Sequence, residues 1–394
     1  MFESLQPSPA DKILGLIAEH QDDPRPEKID LGVGVYRNAD GNTPILDVVK
    51  QAEQRLVDLQ DSKSYISTAG NASFNSALQS LAFADSVPAD RLLTLQTPGG
   101  SGSLRVAAGL ILRATEKATI WVSDPTWNNH VPLLGIAGMT LNPYAYYDAV
   151  NHVIRFEAML DSLHQAPKGD LVLLHACCHN PSGLDPSEDQ WREITDIVVE
   201  RELIPFIDMA YQGFAVDIDT DAFAVRHMAS VVPEMILSTS ASKNFGLYRE
   251  RIGALSFLVN DVKSRDILAS QASSYVRTLY SMPPDHGAAV VSSILLDTEL
   301  RAQWIVELTE MRDRLRDMRS LLHAALKVKA PDHDFSHLVC ATGMFCFLGI
   351  DEQQVERLKK EFGVYMVNSS RINVAGITPG NVEYLADSIA AVLS

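Results

Sequence analysis

The stretch Met235–Val259, MILSTSASKNFGLYRERIGALSFLV, places two apolar runs, 235–240 and 254–259, on either side of a polar loop. Short, nearly continuous apolar runs bounded by turn residues fit strands buried on both faces. The loop carries Lys243, the only lysine between Lys168 and Lys263, together with Ser240, Ser242 and, eight residues after the lysine, Arg251. A lysine delivered to a strand-to-strand loop has little packing reason to be there. A solvated loop lysine is the plain alternative.

The same pattern repeats outward. TIWVSD (119–124), LVLLHAC (171–177) and LIPFIDM (203–209) are further strand candidates. Helical patterns separate them, such as SEDQWREITDIVVEREL (187–203), where Ser187 and Gln190 predict a capping box. Apolar strands alternating with helices argue for an α/β fold, a largely parallel sheet covered on both faces. KIDLGVGVY (28–36) alternates toward a short strand through Gly32 and Gly34. From about 297 a long helical segment carries the chain away. GMFCFLGI, a helix, GVYMVN and RINVAG then read as a smaller α+β unit, joined by the amino-terminal residues. We expect a large domain over 44–310 and a small one from 1–43 and 311–394, with no repeat or flexible linker.

The 394 residues exceed one comfortable hydrophobic core, which agrees with that division. A net charge of −17 argues against nucleic acid and anionic membrane as partners, and no apolar run approaches the roughly 20 residues a bilayer span needs. MFESLQPSPADKILGL lacks a basic segment ahead of an apolar one and does not read as a signal peptide. Cys177, Cys178, Cys340 and Cys346 form no secreted disulfide framework, so the expected compartment is the cytoplasm. His175, Cys177, Cys178 and His179 lack the paired arms of common zinc sites, and an extended strand sends alternate side chains to opposite faces; no metal is expected.

In open parallel sheets the ligand crevice lies beyond the carboxyl ends of the strands. Asp124 to Trp127, Asn180, Asp208 with Tyr211, and Lys243 each follow a different strand candidate, which suggests one site. The lysine amine could form a Schiff base with a carbonyl cofactor, and Ser240 and Arg251 could hold a phosphate. TPGGSGSLRVAAGLIL sets a glycine-rich turn before an apolar helix, where free N–H groups and the helix dipole bind anions; a simple capping turn is the alternative. Asp208 ends an apolar strand, where a carboxylate is costly unless paired. It could keep a pyridine nitrogen protonated, or it could cap a following helix. Tyr211 and Asn180 could reach a 3-oxygen, though Asn180-Pro181 is also an ordinary turn. Trp127 could stack on a cofactor ring or pack in the core. Arg371 could bind a carboxylate in bidentate fashion or be an exposed strand arginine. The combination points to pyridoxal phosphate.

Together these strings resemble the aspartate and aromatic amino-acid aminotransferases among the fold-type I pyridoxal-phosphate enzymes. The resemblance runs nearly end to end, through PADKILGL, KIDLGVGVY, PGGSGSLR, SDPTWNNH, HACCHNPSG, DMAYQGF, SASKNFGLYRERIGA, YSMPPDHGA, GMF and RINVAG. It implies a large domain with a mostly parallel seven-stranded sheet and a catalytic set of Lys243, Asp208 and Tyr211, with His130 behind Asp208. It implies Asn180 and Tyr211 at the 3-oxygen, Trp127 on the ring, and Gly100, Ser101, Gly102, Ser240 and Arg251 at the phosphate. Gly34, Trp127 and Asn180 would border the substrate, and Arg371 would clamp its α-carboxylate. It further implies a homodimer with shared sites, to which Tyr65 brings a phosphate contact and Arg277 a contact to a distal carboxylate. Ser101 stands where threonine is common and Met282 where YSNPP has asparagine, both as in the aromatic-accepting branch; Asn128 replaces a common proline. The implied reaction is ping-pong transfer of an α-amino group from aromatic amino acids or aspartate to 2-oxoglutarate. A strict aspartate enzyme, another reaction on the same cofactor and a non-catalytic regulator are the competing readings.

Overall fold

In the computed structural model, residues 1–7 and 12–393 are described. PADKILGL therefore begins outside the described residues. The strands in chain order are β1 (Ile29–Asp30), β2 (Leu92–Pro98), β3 (Thr119–Asp124), β4 (Thr140–Ala145), β5 (Tyr147–Asp148), β6 (Val153–Ile154) and β7 (Leu171–His175). They continue with β8 (Ile204–Met209), β9 (Met235–Ser240), β10 (Ile252–Leu258), β11 (Phe345–Phe347), β12 (Val364–Tyr365) and β13 (Arg371–Asn373). The helices are α1 (Lys12–Asp22), α2 (Asp47–Leu59), α3 (Ala72–Phe83), α4 (Gly99–Ala114), α5 (His130–Ala137), α6 (Phe156–His164) and α7 (Glu188–Glu200). After them come α8 (Phe223–Val231), α9 (Val262–Leu279), α10 (His286–Leu296), α11 (Thr298–Lys329), α12 (His337–Cys340), α13 (Glu352–Phe362) and α14 (Val382–Leu393). No helix of the described residues is long and apolar enough to cross a membrane.

Seven strands form the main sheet in the order β2-β10-β9-β8-β7-β3-β4. All neighbours from β9 to β4 pair in parallel, and β10 alone runs against both β2 and β9. The sheet is thus mostly parallel, with the Met235–Val259 stretch supplying its one antiparallel hairpin. β7, β9 and β10 are buried along their whole length, which is why they read as largely apolar runs with only small polar residues or a terminal histidine. Helix α7 has the expected cap: Ser187 Oγ accepts from the Gln190 N–H, and the Gln190 side chain accepts from the Ser187 N–H.

Two sheet strands, β2 and β4, are absent from the sequence expectation. LLTLQTP and TLNPYA mix polar residues into the run. In β2 the structure makes Gln96 burial tolerable: its amide donates to the Pro284 carbonyl and accepts from the Asn71 N–H. In β4, Pro143 is accommodated because the strand is the sheet's edge. KIDLGVGVY contributes only the two residues of β1, which pair with β12. Beyond Leu31, whose N–H donates to the Tyr365 carbonyl and whose carbonyl accepts from the Asn373 N–H, side chains hold the run. Asn373 Nδ2 donates to the carbonyls of Val33 and Val35, and Tyr248 Oη accepts from the Tyr36 N–H.

Candidate active site

A parallel sheet gathers the carboxyl ends of its strands on one edge. Pro98, Asp124, His175, Met209 and Ser240 all end strands there, and antiparallel β10 begins at the same edge, just after Arg251. The residues around these ends line a cavity of about 200 Å³: Gly34, Gly100, Ser101, Trp127, Asn180, Asp208, Tyr211, Ser240, Lys243 and Arg251, with His175, Ala210, Ser242 and Tyr248.

One end of the cavity is a cradle. Helix α4 begins at Gly99, so Gly100, Ser101 and Gly102 occupy its first turn, where N–H groups lack helical partners. The turn lies on the sheet so closely that a Cβ on Gly253 would come within 2.6 Å of the Gly99 carbonyl carbon and the Thr239 oxygen. The Arg251 guanidinium packs on Gly99, and Ser240 Oγ lies 3.1 Å from Ser242 Oγ. Backbone N–H groups, a guanidinium and hydroxyls converging on one spot suit a phosphate.

The same cavity wall holds an acid. Asp208 lies inside β8, and the next helical turn begins only at Thr220, so the helix-cap alternative fails. His130 Nε2 donates to Asp208 Oδ2 at 3.0 Å, and His130 Nδ1 meets Thr126 Oγ1 at 2.8 Å. Burial pushes the Asp208 carboxyl up, but the His130 hydrogen bond, with the electrostatic influence of neighbouring His130, His175 and Lys243, outweighs it and holds it below its ordinary value. Trp127 stands edge-on to His130, ring centres 5.1 Å apart. The nearby His130, His175 and Asp208 ligand atoms lie within 4.8 Å of one another, as a metal would require. The His130–Asp208 bond already engages the facing atoms of that pair.

Lys243 lines the same cavity, its Nζ 4.8 Å from the centre of the Tyr211 ring. Burial lowers its amine to about 8, with Asp208 pulling upward and Arg251 downward. Burial also raises the Tyr211 phenol, which keeps it protonated. Buried polar atoms here lack protein partners: Asn180 Oδ1 and both nitrogens of His175. Such atoms in a cavity wall are suited to a polar ligand. A phosphorylated, carbonyl-bearing heteroaromatic ring fits this set of donors and acceptors.

Arg371 is 5 % exposed on β13 and does not line the cavity. Its Nη2 donates to the Gly32 carbonyl, its guanidinium lies 4.4 Å from the centre of the Phe345 ring, and its Nε has no partner. Gly102 and His130 also stand back from the cavity surface. Tyr65 and Arg277 do not line the cavity: Tyr65 is 91 % exposed and Arg277 is an exposed residue of α9. His175 and Tyr248 line the cavity without having been singled out for it. His175 drew notice only as a metal ligand, and nothing in NFGLYRERIG marks Tyr248.

The arrangement is that of an α/β enzyme with an amine, a carboxylate and an anion cradle facing one cavity. Residues 26–389 match the family of class I and II aminotransferases, to which the chain belongs. It is 44 % identical to an aspartate aminotransferase of Haemophilus influenzae over 100 % of both chains. It is 45 % identical to an aromatic-amino-acid aminotransferase of Pseudomonas aeruginosa, over 99 % of this chain and 98 % of that one. The crystal structure of an aromatic-amino-acid aminotransferase from Burkholderia pseudomallei, covalently bound to pyridoxal phosphate, superposes with a TM-score of 0.98 at 42 % identity over 100 % of both chains. The fold is that of the fold-type I pyridoxal-phosphate enzymes.

Proposed function

We propose that this aminotransferase moves the α-amino group of aromatic amino acids and aspartate to 2-oxoglutarate in two ping-pong halves, with pyridoxal phosphate as cofactor. The observation that carries the reading is the meeting of Lys243, Asp208 with His130 behind it, and the α4 cradle at one cavity. Bound there, pyridoxal phosphate supplies an electrophilic carbonyl and an electron-withdrawing ring. Gly100, Ser101, Gly102, Ser240 and Arg251 hold its phosphate, and Trp127 flanks the ring. Asp208, oriented by His130, keeps a proton on the ring nitrogen. Asn180 and Tyr211 hold the 3-oxygen.

Lys243 would attach the cofactor and, when freed by a substrate amine, would move a proton at the substrate Cα as base and then acid. An amine lowered to about 8 suits both directions near neutral pH. Arg371 binds the substrate α-carboxylate, with Gly34, Trp127 and Asn180 beside it. Tyr65 and Arg277, exposed on their own subunit, complete the site of a partner in a homodimer. The large domain spans 44–310 and the small one 1–43 and 311–394, residue 310 falling within α11. The four cysteines are unpaired, which supports a cytoplasmic setting.

The test is a donor panel with 2-oxoglutarate as acceptor, compared by kcat/KM for aspartate, phenylalanine, tyrosine and tryptophan. Turnover of both classes is expected. Turnover of aspartate alone would restrict the enzyme to that donor, and no turnover of either would overturn the reading.

A further inference from the structure

Gly109 lies in α4, and the ring of Tyr275, from α9, presses directly on it. A Cβ built on Gly109 would overlap the phenol oxygen, Cζ and Cε1 of Tyr275, the tightest approach at any glycine among the described residues. Arg113, four residues further along α4, lays its guanidinium 4.7 Å from the centre of the same ring. Its Nη1 also reaches the carbonyl and side-chain oxygens of Gln271 on α9, each at 3.4 Å. Apart from this clamp α9 is thinly anchored: only Ala272 and Val276 of its 18 residues are buried.

The same helix supports both residues that face outward. Arg277 is two positions after Tyr275 in the last turn of α9. Ser273 Oγ lies 2.8 Å from Thr68 Oγ1, which ties α9 to the segment after Tyr65. Neither Arg277 nor Tyr65 has a hydrogen-bond or ion-pair partner among the described residues. Nothing in their own subunit fixes the side chains, so the placement of α9 sets where they reach.

We propose that the Gly109–Tyr275 contact fixes the rotation and height of α9, and through them the aim of Arg277 at the distal carboxylate in the neighbouring site. Tyr275 is thus a positioning residue for dicarboxylic substrates. The inference rests on the reading of Arg277 given above. Bidentate pairing of a guanidinium with a carboxylate is sensitive to position, and a misplacement of about 1 Å can cost roughly 100-fold. Aromatic substrates carry no distal charge and are indifferent to the aim. Helix α4 begins in the phosphate cradle of its own subunit, so the clamp references the arginine offered to one site to the cofactor helix of the other.

The experiment is Gly109→Ala in the holoenzyme. Alanine is the better helix former, so α4 itself gains, while the added methyl displaces Tyr275. The expected result is a KM for aspartate and 2-oxoglutarate raised roughly 10- to 100-fold. The phenylalanine half-reaction should stay within about twofold, with unchanged cofactor absorbance. Tyr275→Phe, which keeps the ring, should match the wild type. If Gly109→Ala is insoluble, Tyr275→Ala is read in the same assays with the same expected split. Equal losses for both substrate classes, or no loss for either, would overturn the proposal. Arg277→Ala separates the two levels. If it fails to discriminate dicarboxylates, the reading of Arg277 falls; if it discriminates and Gly109→Ala does not, only the clamp falls.

Discussion

At Lys243, the proposed Schiff-base lysine, burial loosens the proton of the amine. An ordinary lysine near 10.5 holds its neutral form to well below a thousandth at pH 7, whereas one at about 8 has roughly a tenth neutral. Only the neutral amine attacks a carbonyl. Capture of pyridoxal phosphate by the apoprotein should therefore accelerate about tenfold per pH unit below 8 and level off above it, followed by stopped-flow absorbance; a flat profile from pH 6 to 9 would contradict the shift. Lys243→Ala should still bind the cofactor but lose turnover by at least ~10²–10⁴-fold, the usual contribution of a positioned acid–base group. Asp208→Ala should lower kcat far more than it lowers Tm, because the ring nitrogen loses its anion while β8 keeps its ladder. A large fall in Tm with near-normal kcat would make Asp208 a structural residue.

Hairpin β5–β6 meets the region around α12 and β11 through two stacked histidines. His152 and His337 lie 3.8 Å apart, ring centre to ring centre, at 18°. His152 Nδ1 bonds the Tyr147 hydroxyl, and His337 Nε2 bonds the Phe347 carbonyl. Burial, then His152, lowers His337 to about 4, against upward pulls from the Phe347 carbonyl and Asp334, with His323 adding to the fall. His152 is likewise lowered by burial, with Asp148 and Asp334 opposing. Both rings are neutral in the fold and protonate near 6.5 once unfolded, so the unfolded chain binds more protons as pH falls. Stability should drop from about pH 6.5 toward 4, by at most about 3 kcal/mol from His337. His337→Phe, which keeps a stacked ring, should flatten the acid limb of a Tm–pH curve. An unchanged limb would place the acid sensitivity elsewhere. Reading elements from sequence worked where a short run rich in β-branched and apolar residues ends in turn residues: Thr119–Asp124 and Met235–Ser240 are strands over the expected residues. It failed for β2 and β4, where tertiary partners for Gln96 and an edge position for Pro143 decide the outcome. The strand-end residues of the site were legible for the same topological reason. His175 was not, since alternation along a strand does not say which face meets a cavity, and Tyr65 and Arg277 needed the family resemblance.

At the scale of the whole molecule, the proposed homodimer would make the site a property of two chains. Arg277→Ala should leave a distal carboxylate unpaired in a closed site, a loss of roughly 3–5 kcal/mol, or about two to four decades in kcat/KM for dicarboxylic donors. Aromatic donors should lose little. Mixing inactive Lys243→Ala subunits with Arg277→Ala subunits should restore one good site per mixed dimer, measured as aspartate turnover after refolding together. No recovery would show that Arg277 serves its own subunit. The connection of chain ends has a further consequence, one of time. β1 pairs with β12, Ile29 with Val364, a partner 335 residues downstream. At about 5–20 residues per second, the amino-terminal strand waits tens of seconds on the ribosome for its neighbour, while β7, β8 and β9 find theirs almost as they emerge. A strand that precedes the main sheet in the chain is thus placed after it. On stalled nascent chains, protease should clip the segment before Asp47 long after the main sheet has become resistant.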